Sequence, residues 1–489
     1  MNCNSHLFRN LSPEVQLALT RRQFLGGGAS ILGATALGGL LAGPQNALGA
    51  PAKGLPYVPA KAKRVIYLHM VCGPSQIDLF DYKPGLADWY DKDLPDSVRN
   101  GQRLTGMTSG QARFPIAPSK YSFSQHGKCG MWLSDLLPNL AKCADDMAFI
   151  RSMHTEAINH EPAITEMQTG SQIGGRPCIG SWLSYGLGSM NENLPSFVVL
   201  VATPSNREQE QAISSKLWSS GFLPGEHAGV SFRSKGDPIL FVNNPPGVPE
   251  TIRRRSLDTV NAMNGMSLEA LGDPEIRTRI EQYEMAFRMQ SSVPELIDLG
   301  KEPESVLKLY GDDVKTPGSF ANTALMARRL SERGVRFVQV YLNNWDHHSN
   351  VGGRLPMQCK DIDQATAGLI QDLKNQGMFE DTLIIWGGEF GRTIYSQGGL
   401  TKENYGRDHH PRCFTMWMAG GGAKGGAIYG ETDDFSYNIV ENPVHVRDLH
   451  ATVLRLLGVD HERFSYRAQG LDFRLTGVEK ANVVQALIA

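Results

Sequence analysis

The sequence predicts an α/β fold, in which a mainly parallel central sheet carries helices on both of its faces. Short, continuous apolar runs alternate along the chain with segments whose apolar residues recur at helical spacing. Runs without polar alternation are typical of strands that are covered on both faces. Alternation of strands and helices favours a parallel sheet, and such sheets carry their active sites at the carboxyl ends of the strands.

Six apolar runs are interpreted as strands of this sheet. Each is short and contains no proline or glycine, as expected for a central strand. The runs are RVIYLHMV (64–71), MAFIRSM (147–153), SFVVLVA (196–202), VRFVQVYL (335–342), TLIIW (382–386) and CFTMWMA (413–419).

Helical patterns lie between or after these runs, and three of them end on a glycine, which is typical of a helix C-terminus. These three are ANTALMARRLSERG (321–334), IDQATAGLIQDLKNQG (362–377) and VRDLHATVLRLLG (446–458). Residues 205–320 differ, because Pro/Gly-rich segments there precede the polar helical pattern EIRTRIEQYEMAFRMQ. We expect one domain over 50–489 with an insertion at about 205–320.

The amino-acid composition excludes some classes of function. The 489 residues can form a large core, and 41% hydrophobic with 20% charged residues is ordinary for a globular protein. Forty-eight basic and 50 acidic residues give a formal charge of −2, so nothing favours nucleic-acid binding. Six cysteines follow the first 49 residues without a C-x-x-C pair, which argues against a structural zinc knuckle.

The N-terminal 1–49 segment is interpreted as a twin-arginine signal peptide. Arg21 and Arg22 precede the weakly apolar stretch GGGASILGATALGGLLAG, and Ala47-Leu48-Gly49 forms a compatible cleavage site. The alternative is a membrane anchor, since the stretch approaches spanning length. We favour cleavage, which leaves no stable membrane span. The expected partner is the twin-arginine translocase and the expected location is periplasmic or secreted.

Acidic residues and histidines lie at the ends or the start of three of the predicted strands. Asp346 and His348 come after the 335–342 run, Glu389 follows the 382–386 run, and His409 precedes the 413–419 run. Mixed carboxylate and imidazole ligands suit a divalent cation, and without one the grouped carboxylates would repel each other. A polar loop that happens to hold histidines is the alternative for any one of them. Three clusters together predict a metal site with ligands Asp346, His348, Glu389 and His409.

The order DHH, DTLIIWGGEFGRT, GRDHHPRCFTMWMAGGGAKGG and VRDLHATVLRLLG resembles the family called domain of unknown function 1501. The resemblance extends from about Arg64 to the C-terminus. It implies an alkaline-phosphatase-like three-layer sandwich of the sulfatase and alkaline-phosphatase superfamily. The counterpart of TLIIWGGEFG in that superfamily ends in a metal-binding Asp followed by His or Asn, whereas this chain has Glu389 and Phe390.

The resemblance also implies a position for the nucleophile. Counting back from Thr169-Gly170 places His160 where sulfatases have Cys or Ser, with Pro162 matching their proline and Ile164 replacing their arginine. A histidine there can be a nucleophile toward phosphoryl groups or an additional metal ligand. The alternative is a histidine that packs beside Pro162 at the start of a helix.

Two further residues, Asp78 and Arg392, each have two possible roles. Superfamily enzymes have a metal-binding Asp directly after the first strand, whereas here Asp78 comes later and either bends back into the site or caps a turn. Arg392 either binds a phosphate or sulfate group or makes an ordinary ion pair.

These observations favour an exported hydrolase of phosphate or sulfate esters that depends on a divalent cation (Zn, Mn, Mg or Ca). The metal would polarise the ester oxygen and activate a water, and the substrate would be a small-molecule or polysaccharide ester. The alternative is a non-catalytic exported binding or scaffold protein that retains the fold. The absent nucleophile favours that alternative, and the acid and histidine clusters favour an enzyme.

Overall fold

A computed structural model of the protein describes residues 58–206, 211–233, 239, 244 and 247–489. The proposed signal peptide lies outside the described residues. Seventeen strands are present in the described part of the chain: β1 Arg64–Met70, β2 Phe123–His126, β3 Met131–Ser134, β4 Met147–His154, β5 Phe197–Ala202, β6 Val230–Phe232, β7 Phe337–Leu342, β8 Thr382–Gly387, β9 Gly391–Gln397, β10 Gly406–His410, β11 Phe414–Ala419, β12 Ile428–Tyr429, β13 Glu431–Thr432, β14 Ile439–Glu441, β15 Val444–His445, β16 Tyr466–Ala468 and β17 Leu471–Phe473.

Nine of the described strands form one central sheet in the order β12-β4-β11-β8-β1-β7-β5-β6, with β15 also paired to β4. Strand β11 is antiparallel to both β4 and β8, and the other pairs in the sheet are parallel. Eight of these nine strands therefore run in one direction. The predicted α/β class with a mainly parallel sheet is confirmed.

The register of the central strands brings their carboxyl ends to one edge. Met70 of β1 lies opposite Leu342 of β7, and His69 lies opposite Gly387 of β8. The loops that follow these three strands consequently start side by side. They carry Cys72 and Gly73, Asp346 and His348, and Glu389, respectively.

Ten α-helices occur among the described residues: α1 Gln76–Leu79, α2 Asp96–Arg99, α3 His160–Thr169, α4 Ile179–Leu187, α5 Glu250–Leu271, α6 Pro274–Ile297, α7 Glu304–Tyr310, α8 Phe320–Glu332, α9 Val351–Asn375 and α10 Val446–Leu456. Short 3-10 turns lie at Pro84–Trp89, Leu140–Asp146, Ser215–Trp218, Gly225–His227, Leu299–Lys301, Asp312–Lys315, Phe379–Asp381 and Gln485–Leu487.

The three glycines that the sequence predicts as helix ends follow α8, α9 and α10. Gly334, Gly377 and Gly458 have φ values of 83°, 67° and 81°. This left-handed region is costly for residues with a Cβ, so the glycines end the helices as predicted. Helix α9 begins at Val351, earlier than its periodic pattern, because the glycines and Pro356 of its first turns have low helix propensity and hide these turns in the sequence.

Strands β9 and β10 form a separate antiparallel pair beyond the edge of the central sheet. The register shifts between Arg407 and His409, which marks an irregularity in β10 at the residue that precedes His409. His409 therefore lies within a short strand, whereas the sequence placed it in a loop before the next strand. The six cysteines of the described chain are free thiols.

Candidate metal centre

Four side chains converge beside the carboxyl ends of β1, β7 and β8. His160 is the first residue of α3, Asp346 and His348 follow β7, and His409 lies in β10. Each offers one ligand atom, and these atoms all lie within 4.8 Å of one another. The structure thus brings together residues that are separated by up to 249 positions.

The carboxylate of Asp346 is the centre of this cluster. Its Oδ1 atom lies 3.2 Å from His160 Nε2, 2.8 Å from His348 Nε2 and 3.5 Å from His409 Nε2. The side chains are mostly buried, with 15% of His348 and 12% of His160 exposed. Solvent therefore reaches the cluster on the side of these two histidines.

The other ring nitrogen of each histidine faces a hydrogen-bond acceptor. Nδ1 lies 2.8 Å from Glu389 Oε1 in His160, 2.5 Å from Gln397 Oε1 in His348 and 2.9 Å from the Ile158 carbonyl in His409. Each of these oxygens can only accept, so each neutral ring carries its hydrogen on Nδ1.

The three Nε2 lone pairs consequently point at the Asp346 carboxylate. Nε2 of both His160 and His409 is buried without a hydrogen-bond partner. Four electron-rich atoms in such proximity repel one another unless a cation or a proton lies among them. Histidine ligands with Nδ1–H donated to an oxygen are the usual arrangement around a bound metal. The donor set therefore fits a divalent cation.

Charge and burial set the pKa values of the cluster. Burial raises the pKa of Asp346, but Arg392 and the three histidines outweigh burial and hold it well below its ordinary value. Burial lowers the pKa of His409 to about 4 despite the nearby Asp346 carboxylate. Burial also acts to lower the pKa of His160, but Asp346 and Glu389 raise it overall. Neutral His409 suits metal binding, which requires an unprotonated imidazole.

Glu389 lies behind His160 and does not share the four-residue cluster. Its fully buried carboxylate accepts the Cys72 backbone N–H on both oxygens, at 2.9 and 3.1 Å, and lies 3.5 Å from His69 Nε2. Burial raises its pKa, but hydrogen bonds from His160 and His69 lower it to about 2. Glu389 is thus an anionic support for the His160 ring. His160 stands in the cluster where the sequence predicted Glu389.

Arg392 makes an ion pair, which was the alternative to an anion-binding role in the sequence analysis. Its guanidinium is buried and lies 2.8 Å from Asp346 Oδ1. It also donates to the carbonyls of Cys72, Gly73, Trp345 and Arg407. These contacts join the loops after β1 and β7 to β10 and leave the side chain only 1% exposed. Arg392 is placed to neutralise and position Asp346, not to contact a substrate.

Asp78 also lies outside the cluster. It is fully buried in α1, where Arg407 contacts it through Nε at 2.7 Å and through Nη2 at 3.1 Å. The Ser75 hydroxyl donates to the same carboxylate at 2.6 Å. Burial raises the pKa of Asp78, and the Arg407 charge more than offsets this and lowers it. The structure gives Asp78 an ion pair instead of either role considered from the sequence.

Three neighbours complete the surroundings. His347 is buried beside Trp345 and outside the cluster, and burial lowers its pKa to about 3. Phe390 packs against the rings of His160 and His409, with centroids 5.1 and 4.5 Å away. Sequence reasoning missed His69, although a single histidine within the apolar run of β1 was a visible signal.

A second histidine group has a different character. His154, Glu156 and His445 offer ligand atoms within 4.8 Å of one another. However, His445 Nδ1 accepts the Arg447 backbone N–H, so its hydrogen is on Nε2, which lies 2.8 Å from Glu156 Oε2. This pair is already satisfied as a helix cap and an ion pair. It does not repeat the converging lone pairs of the first cluster.

The chain belongs to the family described as protein of unknown function (DUF1501), whose model matches residues 62–488. No curated protein matches the sequence significantly. The resemblance to this family inferred from the sequence is thereby confirmed.

Several solved structures are similar in fold. A protein in the alkaline phosphatase superfamily from Vibrio parahaemolyticus is 11% identical, with a TM-score of 0.38, over 84% of this chain and 70% of that one. PsFucS1 sulfatase from Pseudoalteromonas sp. is 14% identical, with a TM-score of 0.32, over 82% and 69%. The C-terminal periplasmic domain of EcEptC from Escherichia coli, a complex with Zn, is 8% identical, with a TM-score of 0.32, over 84% and 87%. At these TM-scores the likeness supplies no site chemistry to this chain.

Among the helices of the described ranges, none combines the length and apolar character needed to span a membrane.

Proposed function

We propose that the protein is a metal-dependent hydrolase of phosphate or sulfate esters, with His160, Asp346, His348 and His409 holding the metal. One observation carries this proposal: three imidazole Nε2 atoms point at one carboxylate oxygen while their Nδ1–H groups are donated elsewhere. When bound, a divalent cation supplies Lewis-acid polarisation of an ester oxygen.

The surrounding side chains prepare the centre for an anionic substrate. The buried Asp346 carboxylate contacts the buried Arg392 guanidinium, and the buried Glu389 carboxylate contacts His160. With neutral imidazoles, a divalent cation would give the centre a net charge of +1. A positive centre of low dielectric attracts a phosphate or sulfate ester more strongly than the same charge in water.

His160 is assigned as a ligand and not as the nucleophile. Its Nε2 faces Asp346 within the cluster, and Glu389 fixes the ring through Nδ1. Its place at the N-terminus of α3 adds free backbone N–H groups near the centre, which favour bound anions. The attacking group would then be water, which a bound divalent cation can activate.

One observation favours the second candidate, an exported binding or scaffold protein with a structural metal. Four protein donors fill the positions of a tetrahedral zinc site, as in structural zinc sites. An octahedral cation such as Mn²⁺ would keep two positions for water and substrate with the same donors. The metal identity therefore discriminates the two functions.

The location remains part of the proposal. The Arg21-Arg22 pair and the apolar stretch after it support export through the twin-arginine translocase, followed by action in the periplasm or outside the cell. Translocation of folded protein would allow the metal to be loaded before export.

The test combines metal analysis with an ester panel. Purified protein is analysed by elemental mass spectrometry, then assayed with aryl phosphates and aryl sulfates in the presence of Zn, Mn, Mg or Ca. We expect turnover with an octahedral cation and a loss of about a hundredfold in His160→Ala, the order for an essential catalytic group. His126→Ala, a partly exposed histidine of β2, is the matched control. Bound metal without turnover of any ester would favour the binding protein.

A further inference from the structure

A cleft of about 550 Å³ opens beside the metal centre. It is lined by His409, a member of the cluster, and by Ile158, whose carbonyl accepts from the His409 ring. The remaining walls come from the loop at 102–105, the end of β4 with the residues after it, the segment at 410–412 and the segment at 437–443. The cleft therefore reaches the centre from the side of His409.

Two arginines on these walls have no partner among the residues that the structure describes. Arg103 and Arg412 are both exposed. Within the described residues, neither guanidinium has a hydrogen bond or an ion pair. Most buried or half-buried arginines of this fold are paired, as Arg407 is with Asp78. Free guanidinium groups facing a cleft are available to bind a carboxylate, phosphate or sulfate.

Short chain segments and a hydrogen bond keep both arginines near the metal centre. Arg412 follows His409 by three residues, so their Cα atoms are at most about 11 Å apart. Arg103 precedes Thr105 by two residues, and the Thr105 hydroxyl donates to Asp408, the neighbour of His409. The backbone N–H of Thr155 also donates to the Pro411 carbonyl at 3.0 Å, which fixes the segment that carries Arg412.

Little negative charge opposes these arginines. The one carboxylate on the walls is Glu156, which His445 contacts at 2.8 Å and Arg447 at 4.0 Å. Burial lowers the pKa of His154, so this ring is neutral near pH 7. The cleft consequently presents net positive charge next to the metal centre.

We propose that this cleft is a subsite for a second anionic group of the substrate, which Arg103 and Arg412 bind. The substrate class would then be a phosphate or sulfate ester on a molecule that carries at least one further phosphate, sulfate or carboxylate. This inference rests on the proposed function for the ester that reacts, but the subsite itself is a binding site. Long guanidinium side chains on two separate segments suit a second charge placed several bonds from the ester.

Binding is measured by titration calorimetry with two pairs of probes. One pair is a disaccharide with one sulfate and the same disaccharide with three, and the other is fructose 6-phosphate and fructose 1,6-bisphosphate. We expect the more highly charged probe to bind at least about tenfold more tightly, as charge-assisted hydrogen bonds would give. The two pairs distinguish sulfate from phosphate recognition. Equal affinities within both pairs would overturn the subsite.

Variants connect the preference to the two arginines. Arg103→Ala and Arg412→Ala should each reduce the preference about fivefold, and the double variant should abolish it, whereas Arg412→Lys should retain part of it. Arg463→Ala, an exposed arginine outside the cleft, is the control. Thermal melts of each variant verify folding. An unchanged preference in the double variant would contradict the assignment.

The two proposals fail separately. A protein that hydrolyses no ester but keeps an arginine-dependent preference for the highly charged probes has the subsite and lacks the proposed hydrolysis. A protein that hydrolyses aryl esters but binds each pair equally has the hydrolysis and lacks the subsite.

Discussion

Asp346 is the residue on which the candidate site depends. One oxygen of its carboxylate lies within 3.5 Å of three imidazole nitrogens and of the Arg392 guanidinium. Arg392 alone could neutralise the Asp346 carboxylate, but the lone pairs of the three histidines would then remain without a partner. Arg392 and a bound cation therefore have different tasks: the arginine positions the carboxylate, and the cation would satisfy the rings.

The first prediction concerns the ligands. His348→Ala removes one of the four donors, so we expect the metal content of the purified protein to fall to less than half of the wild-type value at equal chelator concentration. His126→Ala should retain the wild-type content, because its ring lies outside the cluster. Elemental mass spectrometry after dialysis measures both. Wild-type metal content in His348→Ala would exclude this residue as a ligand.

The second prediction concerns the support of His160. Glu389→Gln keeps an oxygen that can accept from Nδ1 but removes the charge that makes the ring a better ligand. We expect the affinity for the metal to fall about 10- to 100-fold, as is usual for such supporting residues. Competition with a coloured chelator measures the affinity. If Glu389 were itself a ligand, Glu389→Gln would lower the affinity for the metal by more than about 100-fold.

Sequence reasoning identified the site residues better than their roles. Clusters of Asp and His after apolar runs are visible in the sequence, because the ends of parallel strands share one edge. The choice between Glu389 and His160 depends on side-chain directions: the Glu389 carboxylate turns toward the Cys72 backbone N–H, whereas α3 presents its first residue to Asp346. A sequence gives no information on such directions.

At the scale of elements, buried pairs hold the layers around the site together. Arg407 of β10 contacts Asp78 of α1 and also donates to the carbonyls of Ala117, Thr393 and Ile394. The strand that carries His409 is thereby attached to the segment after β1. Such a pair contributes little net stability when complete, but the loss of one partner leaves a buried charge.

The third prediction follows from this pair. Asp78→Asn should lower the free energy of unfolding by about 3 to 5 kcal/mol, because the Arg407 guanidinium remains buried without a counter-charge. Denaturant titration measures the loss of unfolding free energy. Asp93→Asn is the control, because solvent screens the exposed ion pair between Asp93 and Arg113 and its loss should cost little. Metal content per folded molecule should stay unchanged. A loss of metal from folded Asp78→Asn would instead restore the original hypothesis that Asp78 is a ligand.

The fourth prediction concerns the contact between α10 and α3. His450 of α10 is fully buried and donates through Nε2 to the Met167 carbonyl of α3 at 2.8 Å. Burial lowers its pKa from 6.5 to about 4, and its hydrogen bond to Met167 only partly opposes this. The unfolded chain therefore binds the proton more readily than the folded protein. The neutral His450 ring therefore stabilises the folded protein fully above pH 6.5, and this stabilisation is lost as the pH falls toward 4.

The measurement compares the wild type with His450→Gln, whose amide can still donate to Met167 but does not titrate. Between pH 6.5 and pH 5 we expect the wild type to lose about 2 kcal/mol more unfolding free energy than the variant, since one pH unit corresponds to about 1.4 kcal/mol for one proton. Denaturant titrations at both pH values give the difference. Parallel losses in the two proteins would show that His450 does not titrate in this way.

For the whole molecule, the six predicted strands lie where the sequence placed them, because continuous apolar runs report burial on both faces. The antiparallel direction of β11 was not predictable, since its run CFTMWMA has the same character as the parallel strands. The β9–β10 pair was missed for another reason. Its strands GRTIYSQ and GRDHH are buried although polar, because Arg392, Arg407 and Asp408 find partners inside the fold.

The fifth prediction concerns export of the whole protein. The Arg21-Arg22 pair and the apolar residues 26–43 are typical of a twin-arginine signal, and the translocase reads the arginine pair directly. Changing both residues to Lys preserves their charge, so a simple loss of positive charge cannot explain the outcome. We expect the double variant to remain in the cytoplasm as full-length precursor. Immunoblots of periplasmic and cytoplasmic fractions measure the distribution.

Arg9→Lys, outside the motif, is the matched control and should be exported and shortened like the wild type. Cleavage before Ala50 would leave a chain that starts near the first described strand, β1, and contains the four cluster residues. Mass spectrometry of the exported protein gives the cleavage site. Normal export of the Lys-Lys variant would contradict the twin-arginine route. An exported protein that retains residues 1–49 and is found in the membrane fraction would favour a membrane anchor over a cleaved signal peptide.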